Sequence, residues 1–234
     1  MLKKFGFFRT VFFTAFLLFG AVSVYSATSV AERGNTLWEL VASGGICMIF
    51  LGLLSVLATA SVIYHFMYVR ADKLTPPEFS ENLLFLLEKK EYEKAISVCR
   101  QQNNMISTIA LKGLEKLSKG KAVVEQALQY EGKANLEKLW QNLNYLGDIA
   151  VIAPMLGLLG TIFGMIDAFN YFKGGTISPI VLTQGLAKAM VNTAFGLVIT
   201  VPCLAFYSYF RGRISKITST AETVASEIIQ TMTK

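Results

Sequence analysis

The chain has 234 residues, 53% hydrophobic and 16% charged, with mean hydropathy +0.47. Soluble domains carry about 25% charged residues, and here the apolar residues fall in blocks, which disfavours a soluble enzyme, a secreted disulfide scaffold and a disordered chain. The net charge is +6, yet residues 70–148 hold twelve Lys/Arg against eleven Asp/Glu, so no nucleic-acid face is expected.

Residues 1–26 run basic (Lys3, Lys4, Arg9), then apolar, then small, with Val24 and Ser26 at −3 and −1 of a cleavage site before Ala27. This is the layout of a secretory signal peptide, with an uncleaved membrane helix as the alternative. Residues 27–40 then form a periplasmic segment. A first span is expected over 41–69, a second over 149–172 and a third over 180–210, joined by a tight periplasmic turn at 173–179. Each is long enough at 1.5 Å per residue for a hydrocarbon core of about 30 Å. The third is longer than needed and should tilt, kink near Pro202 or emerge into water. Arg70 and Lys73 follow the first span, and Arg211, Arg213 and Lys216 follow the third. Lys/Arg flanks mark the cytoplasmic side, so the N-terminus is expected in the periplasm and the C-terminus in the cytoplasm of an inner-membrane protein.

The cytoplasmic region 70–148 starts at Pro76–Pro77, and apolar steps on either side of Lys89–Glu91 predict two short helices. From Lys121 the positions Leu136, Leu139, Trp140, Leu143 and Leu146 step by three and four, with no break before the second span, which predicts one continuous helix. Ile214, Ile217, Ala221, Val224 and Ile228 extend the third span as a cytoplasmic helix over 211–234. The expected class is an all-α integral membrane protein with long cytoplasmic helical extensions. Cys47, Cys99 and Cys203 are far apart, and His65 is the single histidine. No metal site, cofactor or enzymatic centre is expected.

Polar and small residues inside spans mark packing or transport. The second span carries Gly157, Gly160 and Gly164 after Pro154, a smooth face that calls for a close neighbouring helix. In the third, Lys188, Asn192, Gly196 and Thr200 repeat every four residues, with Gly185 and Pro202 as further packing positions. A three-span chain is not expected to bury the glycine face and this stripe together, so an oligomer is expected. With the turn centred near residue 176, Thr161 lies 15 residues before it and Thr193 lies 17 after. Two residues are about 3 Å of rise, so Thr161, Thr193 and Asn192 share one depth and are candidates for an ion path. Hydroxyls relay a proton but cannot hold one near neutral pH. The titrating group is therefore expected from another protein. Asp167 and Lys188 differ in depth by three residues, about 4.5 Å, and are candidates for an ion pair.

Residues 153–169 (APMLGLLGTIFGMIDAF) and 185–210 (GLAKAMVNTAFGLVITVPCLAFYSYF) resemble the MotA/TolQ/ExbB proton channel family, ExbB-type members most and TolQ-type next. The resemblance implies a homo-pentamer around a dimer of a single-span ExbD/TolR-like partner. It further implies that proton flow through the partner's membrane aspartate drives a TonB- or TolA-like periplasmic effector, in uptake or envelope maintenance. Thr161 and Thr193 fall on the family's pore threonines, while Lys188 stands where energising members commonly have a glutamate. A non-conducting membrane scaffold that assembles partner proteins is the competing reading.

Overall fold

The computed structural model describes residues 45–102, 104–170 and 179–232, the side chains at 71, 72, 179–182, 184 and 188 excepted. The expected signal peptide, the 27–40 segment, residues 41–44 of the first span and the turn up to residue 178 lie outside the described residues. Every described element is helical: α1 (Gly45–Tyr68), α2 (Ala71–Leu74), α3 (Pro77–Glu88), α4 (Tyr92–Gln101), α5 (Met105–Leu114), a 3-10 turn (Leu117–Lys119), α6 (Lys121–Asn170) and α7 (Pro179–Met232). Three of them, α1, α6 and α7, are long and apolar enough to cross a membrane. The described residues are all-helical, with three candidate membrane-spanning helices.

The chain divides into two compact units. The first takes residues 1–60 and 147–205, the second residues 61–146 and 206–234. In the first, Met48 and Leu51 of α1 and Ala153 of α6 form a buried cluster, extended by Leu54, Leu156, Val191, Phe195 and Ile199. The outward faces stay apolar: Ile49, Leu53 and Val56 of α1 and Met155, Leu158 and Ile162 of α6 are exposed. Water would not tolerate so large an apolar surface; lipid or further protein does.

The second unit owes its short helices to local signals. Pro77 opens α3 at the first helical position, where a missing N–H costs nothing. Lys90 closes it in the left-handed region at φ 57, with its N–H on Leu87 O and the Glu91 N–H on Leu86 O. That is the paired 5→2 and 6→1 bonding that stops a helix, here without glycine. Helix α4 packs against both α3 and α5. Asn104 caps α5, accepting from Ser107 N at 2.7 Å while its own N–H donates to Ser107 Oγ at 3.2 Å. Helix α6 runs 50 residues from Lys121 without a break, and α7 runs 54, through Pro202. Leu139, Leu143 and Leu146 of α6 and Ile214, Ile217, Ala221, Val224 and Ile228 of α7 are buried. Leu136 and Trp140 instead flank a cavity of about 850 Å3 together with Ala221, Ala225 and Ile229.

Candidate functional site: the seam between α6 and α7

Within the first unit, α6 and α7 meet backbone to backbone. A Cβ built on Gly157 would lie 2.8 Å from the Asn192 carbonyl oxygen and 3.0 Å from Thr193 Cα. On Gly160 it would run into the side-chain amide of Asn192, on Gly164 it would sit 2.8 Å from Ala189 Cβ, and on Gly185 2.6 Å from Ala168 Cβ. On Gly196 it would stand 2.7 Å from Ala153 O and 3.3 Å from Pro154 Cα. Real Cβ atoms do not approach so closely, so glycine at these positions is what brings the two helices together.

This corrects one expectation. The glycine face of α6 is covered by α7 of the same chain, through Asn192 of the stripe that seemed to compete for burial and through Thr193 and Ala189 beside it. Asn192 and Thr200 are buried, at 3% and 8% exposure, and so is Gly196. Asn192 and Gly196 of the stripe thus face α6 across one seam, and the glycines by themselves do not require another subunit. Ala153, Ala168 and Ala189 complete the match; sequence reasoning passed over them, although Ala189 sits three residues from Asn192 and four from Gly185 on the same helix face.

The contacts fix the register. Gly196 lies against Ala153, Thr193 against Gly157, Asn192 against Gly160, Ala189 against Gly164 and Gly185 against Ala168. Thr193 is therefore level with residues 157–159, and Thr161 lies about 3–6 Å further along α6, within about one helical turn. Their hydroxyls make different bonds. Thr193 Oγ1 donates across the seam to Gly157 O at 3.2 Å, whereas Thr161 Oγ1 donates back along its own helix to Leu158 O at 2.6 Å. Thr200 Oγ1 likewise turns back, to Gly196 O at 2.9 Å. Thr161 and Thr193 are half-exposed residues, and each hydroxyl oxygen keeps lone pairs beyond the bond it donates. Asn192 is enclosed beneath them and does not face open space.

Asp167 is exposed on α6. Lys188 belongs to α7, but its side chain lies outside the described residues. The pairings of Ala189 with Gly164 and Gly185 with Ala168 put the Lys188 backbone level with residue 165, about 3 Å from the level of Asp167. Pro154 lies inside α6 at the Gly196 contact, and Pro202 lies inside α7 beyond it. Groups of three or more His, Cys, Asp or Glu able to hold a metal are absent among the described residues. His65, at 1% exposure, places Nδ1 2.7 Å from Ser61 O and its ring 5.2 Å from that of Phe210, as a packing histidine does.

Comparison with known proteins adds a family. The profile described as the MotA/TolQ/ExbB proton channel family matches residues 101–223. A biopolymer transport protein ExbB homolog of Methanothermobacter thermautotrophicus is 25% identical over 181 residues, 77% of this chain and 64% of that protein. The biopolymer transport protein ExbB of Salmonella typhimurium is 30% identical over 102 residues, 43% of this chain and 38% of that one. The Tol-Pal system protein TolQ of Haemophilus influenzae is 27% identical over 93 residues, 39% and 41% respectively. The aligned stretches thus span less than two-thirds of these relatives' own lengths.

Proposed function

The chain belongs to the MotA/TolQ/ExbB proton channel family, whose profile covers over half its length, and from that premise we propose that it is an ExbB/TolQ-like subunit of an inner-membrane motor driven by the proton-motive force. Five copies surround a dimer of ExbD/TolR-like single-span partners. Proton passage through the partner's membrane carboxylate performs work on a TonB- or TolA-like periplasmic protein. The N-terminus faces the periplasm and the C-terminus the cytoplasm.

The observation that carries this reading is the pair Thr161 and Thr193, half-exposed within a turn of each other in a seam whose level holds no carboxylate among the described residues. Asp167, the nearest, lies six residues along α6 from Thr161, about 9 Å. Both hydroxyls already donate to carbonyls, so what they offer outward is acceptor capacity. An acceptor suits a protonated carboxylic acid, which donates, better than a carboxylate, which cannot. The threonines thereby stabilise the partner's acid in its proton-loaded form at mid-membrane. Asn192, buried against Gly160, holds the Thr193 backbone at that level and acts as a positioning residue. A further part of the proposal is an Asp167–Lys188 ion pair, within one subunit or between neighbours, which would remove the repulsion that lysines in a cation path create.

The test is reconstitution with an ExbD/TolR-like partner in vesicles under an imposed pH gradient. Partner-dependent proton uptake that stops when the partner's membrane Asp becomes Asn supports the reading; uptake indifferent to that change overturns it. One observation favours a second reading, a non-conducting scaffold: threonines that bond backbone carbonyls also occur in seams with purely structural roles. That reading predicts a stable complex with no uptake.

A further inference from the structure

The cavity of about 850 Å3 in the second unit is a groove between α6 and α7, lined also by Ile109 of α5. Along α6 it runs from Glu125 to Trp140, about 22 Å of helix or roughly four turns. Its lining residues fall outside the apolar stretches 149–172 and 180–210. Leu136, Trp140 and Ile229 are half-buried in it, so each keeps apolar surface that its own chain does not close over. Such surface gains free energy when another apolar surface covers it.

Two further observations say what fits there. The first is Gly132, in the middle of the groove. A Cβ built on it would meet only Ile109 Cδ1, at 3.8 Å, an ordinary contact. The five seam glycines are each matched by close facing atoms of the same chain; Gly132 is not, although glycine is a poor helix former. With Ala221 and Ala225 on the opposite wall, it leaves room for a further helix to come close, since side-chain size at the contact sets the distance between packed helices. The second observation is charge. Glu125 and Glu137 on α6 and Glu222 on α7 line the groove against Lys133 alone, a net charge of −2 from three carboxylates and one ammonium. Glu137, Glu222 and Lys133 form no salt bridge among the described residues.

We propose that this groove docks an amphipathic helix of a separate protein, apolar along one face and flanked by Lys or Arg. The apolar face lies on Leu136, Trp140 and Ile229, and the basic flanks meet Glu137 and Glu222 on opposite walls. The same carboxylates repel anionic surfaces such as phospholipid headgroups or nucleic acid. The apolar stripes of the chain's own long helices beyond the spans, Leu139 to Leu146 and Ile214 to Ile228, are already buried, which leaves the occupant to another protein. The groove belongs wholly to the second unit, and its occupancy does not depend on the ion path.

The experiment uses the full chain in a neutral detergent with Trp38→Phe, which leaves Trp140 in the groove as the one tryptophan. The probe is a synthetic helical peptide of about fifteen residues, free of Trp, with Leu along one face and Lys on both flanks. Its twin carries Glu for every Lys. The Lys peptide should move Trp140 emission to shorter wavelength and bind in the micromolar range, more weakly as salt rises; the Glu twin should leave the emission unchanged. Glu137→Lys with Glu222→Lys, both at exposed positions, should weaken the Lys peptide by at least about tenfold. Gly132→Leu should block binding with the melting temperature kept, because its Cβ meets only an ordinary contact. No shift with the Lys peptide, equal binding of the two peptides, or indifference to the charge reversal overturns the proposal. An emission shift that follows protein concentration with no peptide present assigns the groove to a second copy of the chain and overturns it too.

Discussion

Thr193 and Gly157 are joined across the seam by a hydroxyl that donates to a carbonyl 3.2 Å away, and the same glycine lacks the side chain that would hold that hydroxyl at a distance. One contact thus serves packing and polarity together. The close approach allowed by Gly157 is what lets a side chain of α7 reach the backbone of α6. Thr161, on the helix that supplies the glycine, has no such cross-helix bond and turns to Leu158 O instead. Two threonines at nearly one depth therefore differ in what they hold up.

That difference predicts a split between stability and ion passage. Thr193→Val keeps the volume and deletes the interhelical bond, so it should cost about 0.6 kcal/mol, the average for such bonds in membranes, and at most about 1.7 kcal/mol. Thr161→Val deletes only a bond back along its own helix and should cost about 0.5 kcal/mol or less. Both should reduce partner-dependent proton uptake, because either removes an acceptor. Unfolding in detergent separates the two variants on stability, and the vesicle assay should not. Full uptake in the double Val variant would rule out the threonine relay.

The seam should tolerate no added methyl group. Gly157→Ala and Gly196→Ala place Cβ against backbone atoms of the facing helix, which cannot swing aside as a long side chain can. Each should cost about 1–3 kcal/mol. Gly52 of α1 has nothing within 4 Å of its virtual Cβ, so Gly52→Ala should be neutral or slightly stabilising. Gly160→Leu should collapse the fold of the single chain rather than only disperse an oligomer. An unfolding series in which Gly52→Ala is the most damaging change would refute this account.

Asp167 and Lys188 provide a double-variant test. If they pair, Lys188→Met should lower the melting temperature of the complex, and adding Asp167→Asn should recover part of the loss, since removing one member of a pair strands the other. A double variant no better than the worse single places the lysine toward the lumen or the partner protein.

Cys99 reports on the cytoplasmic helices. Burial pushes its thiol up to about 11 from an ordinary 9.0. Between those values the folded chain binds more protons than the unfolded one, so this group's stabilising contribution is complete below about pH 9 and declines as pH rises toward 11. The thiol should resist maleimide at pH 8 in the folded protein and react on unfolding, because a buried thiol is a poor nucleophile. Labelling of the native chain at that pH as fast as a free thiol would contradict the packing of α4 against α3 and α5.

Sequence by itself determined the class of this protein and most of its helices. Apolar runs as long as the bilayer core, with at most one charged residue each, read as spans. The three-four steps from Lys121 onward have no breaker until the second span is complete, and α6 accordingly runs from Lys121 to Asn170. Residues 105–114 were not singled out, because their start depends on the Asn104–Ser107 cap rather than on a long periodic stripe. The mates of the glycine face were beyond reach of periodicity, which says that two helices carry smooth stripes but not whether those stripes face each other. Only the tertiary structure decided that Gly157, Gly160 and Gly164 meet Thr193, Asn192 and Ala189 of the same chain. The direction of each threonine hydroxyl was likewise undecided by sequence. A hydroxyl rotor takes the nearest unshared carbonyl lone pair, and whether that carbonyl lies on its own helix or the next depends on an interhelical distance set by packing.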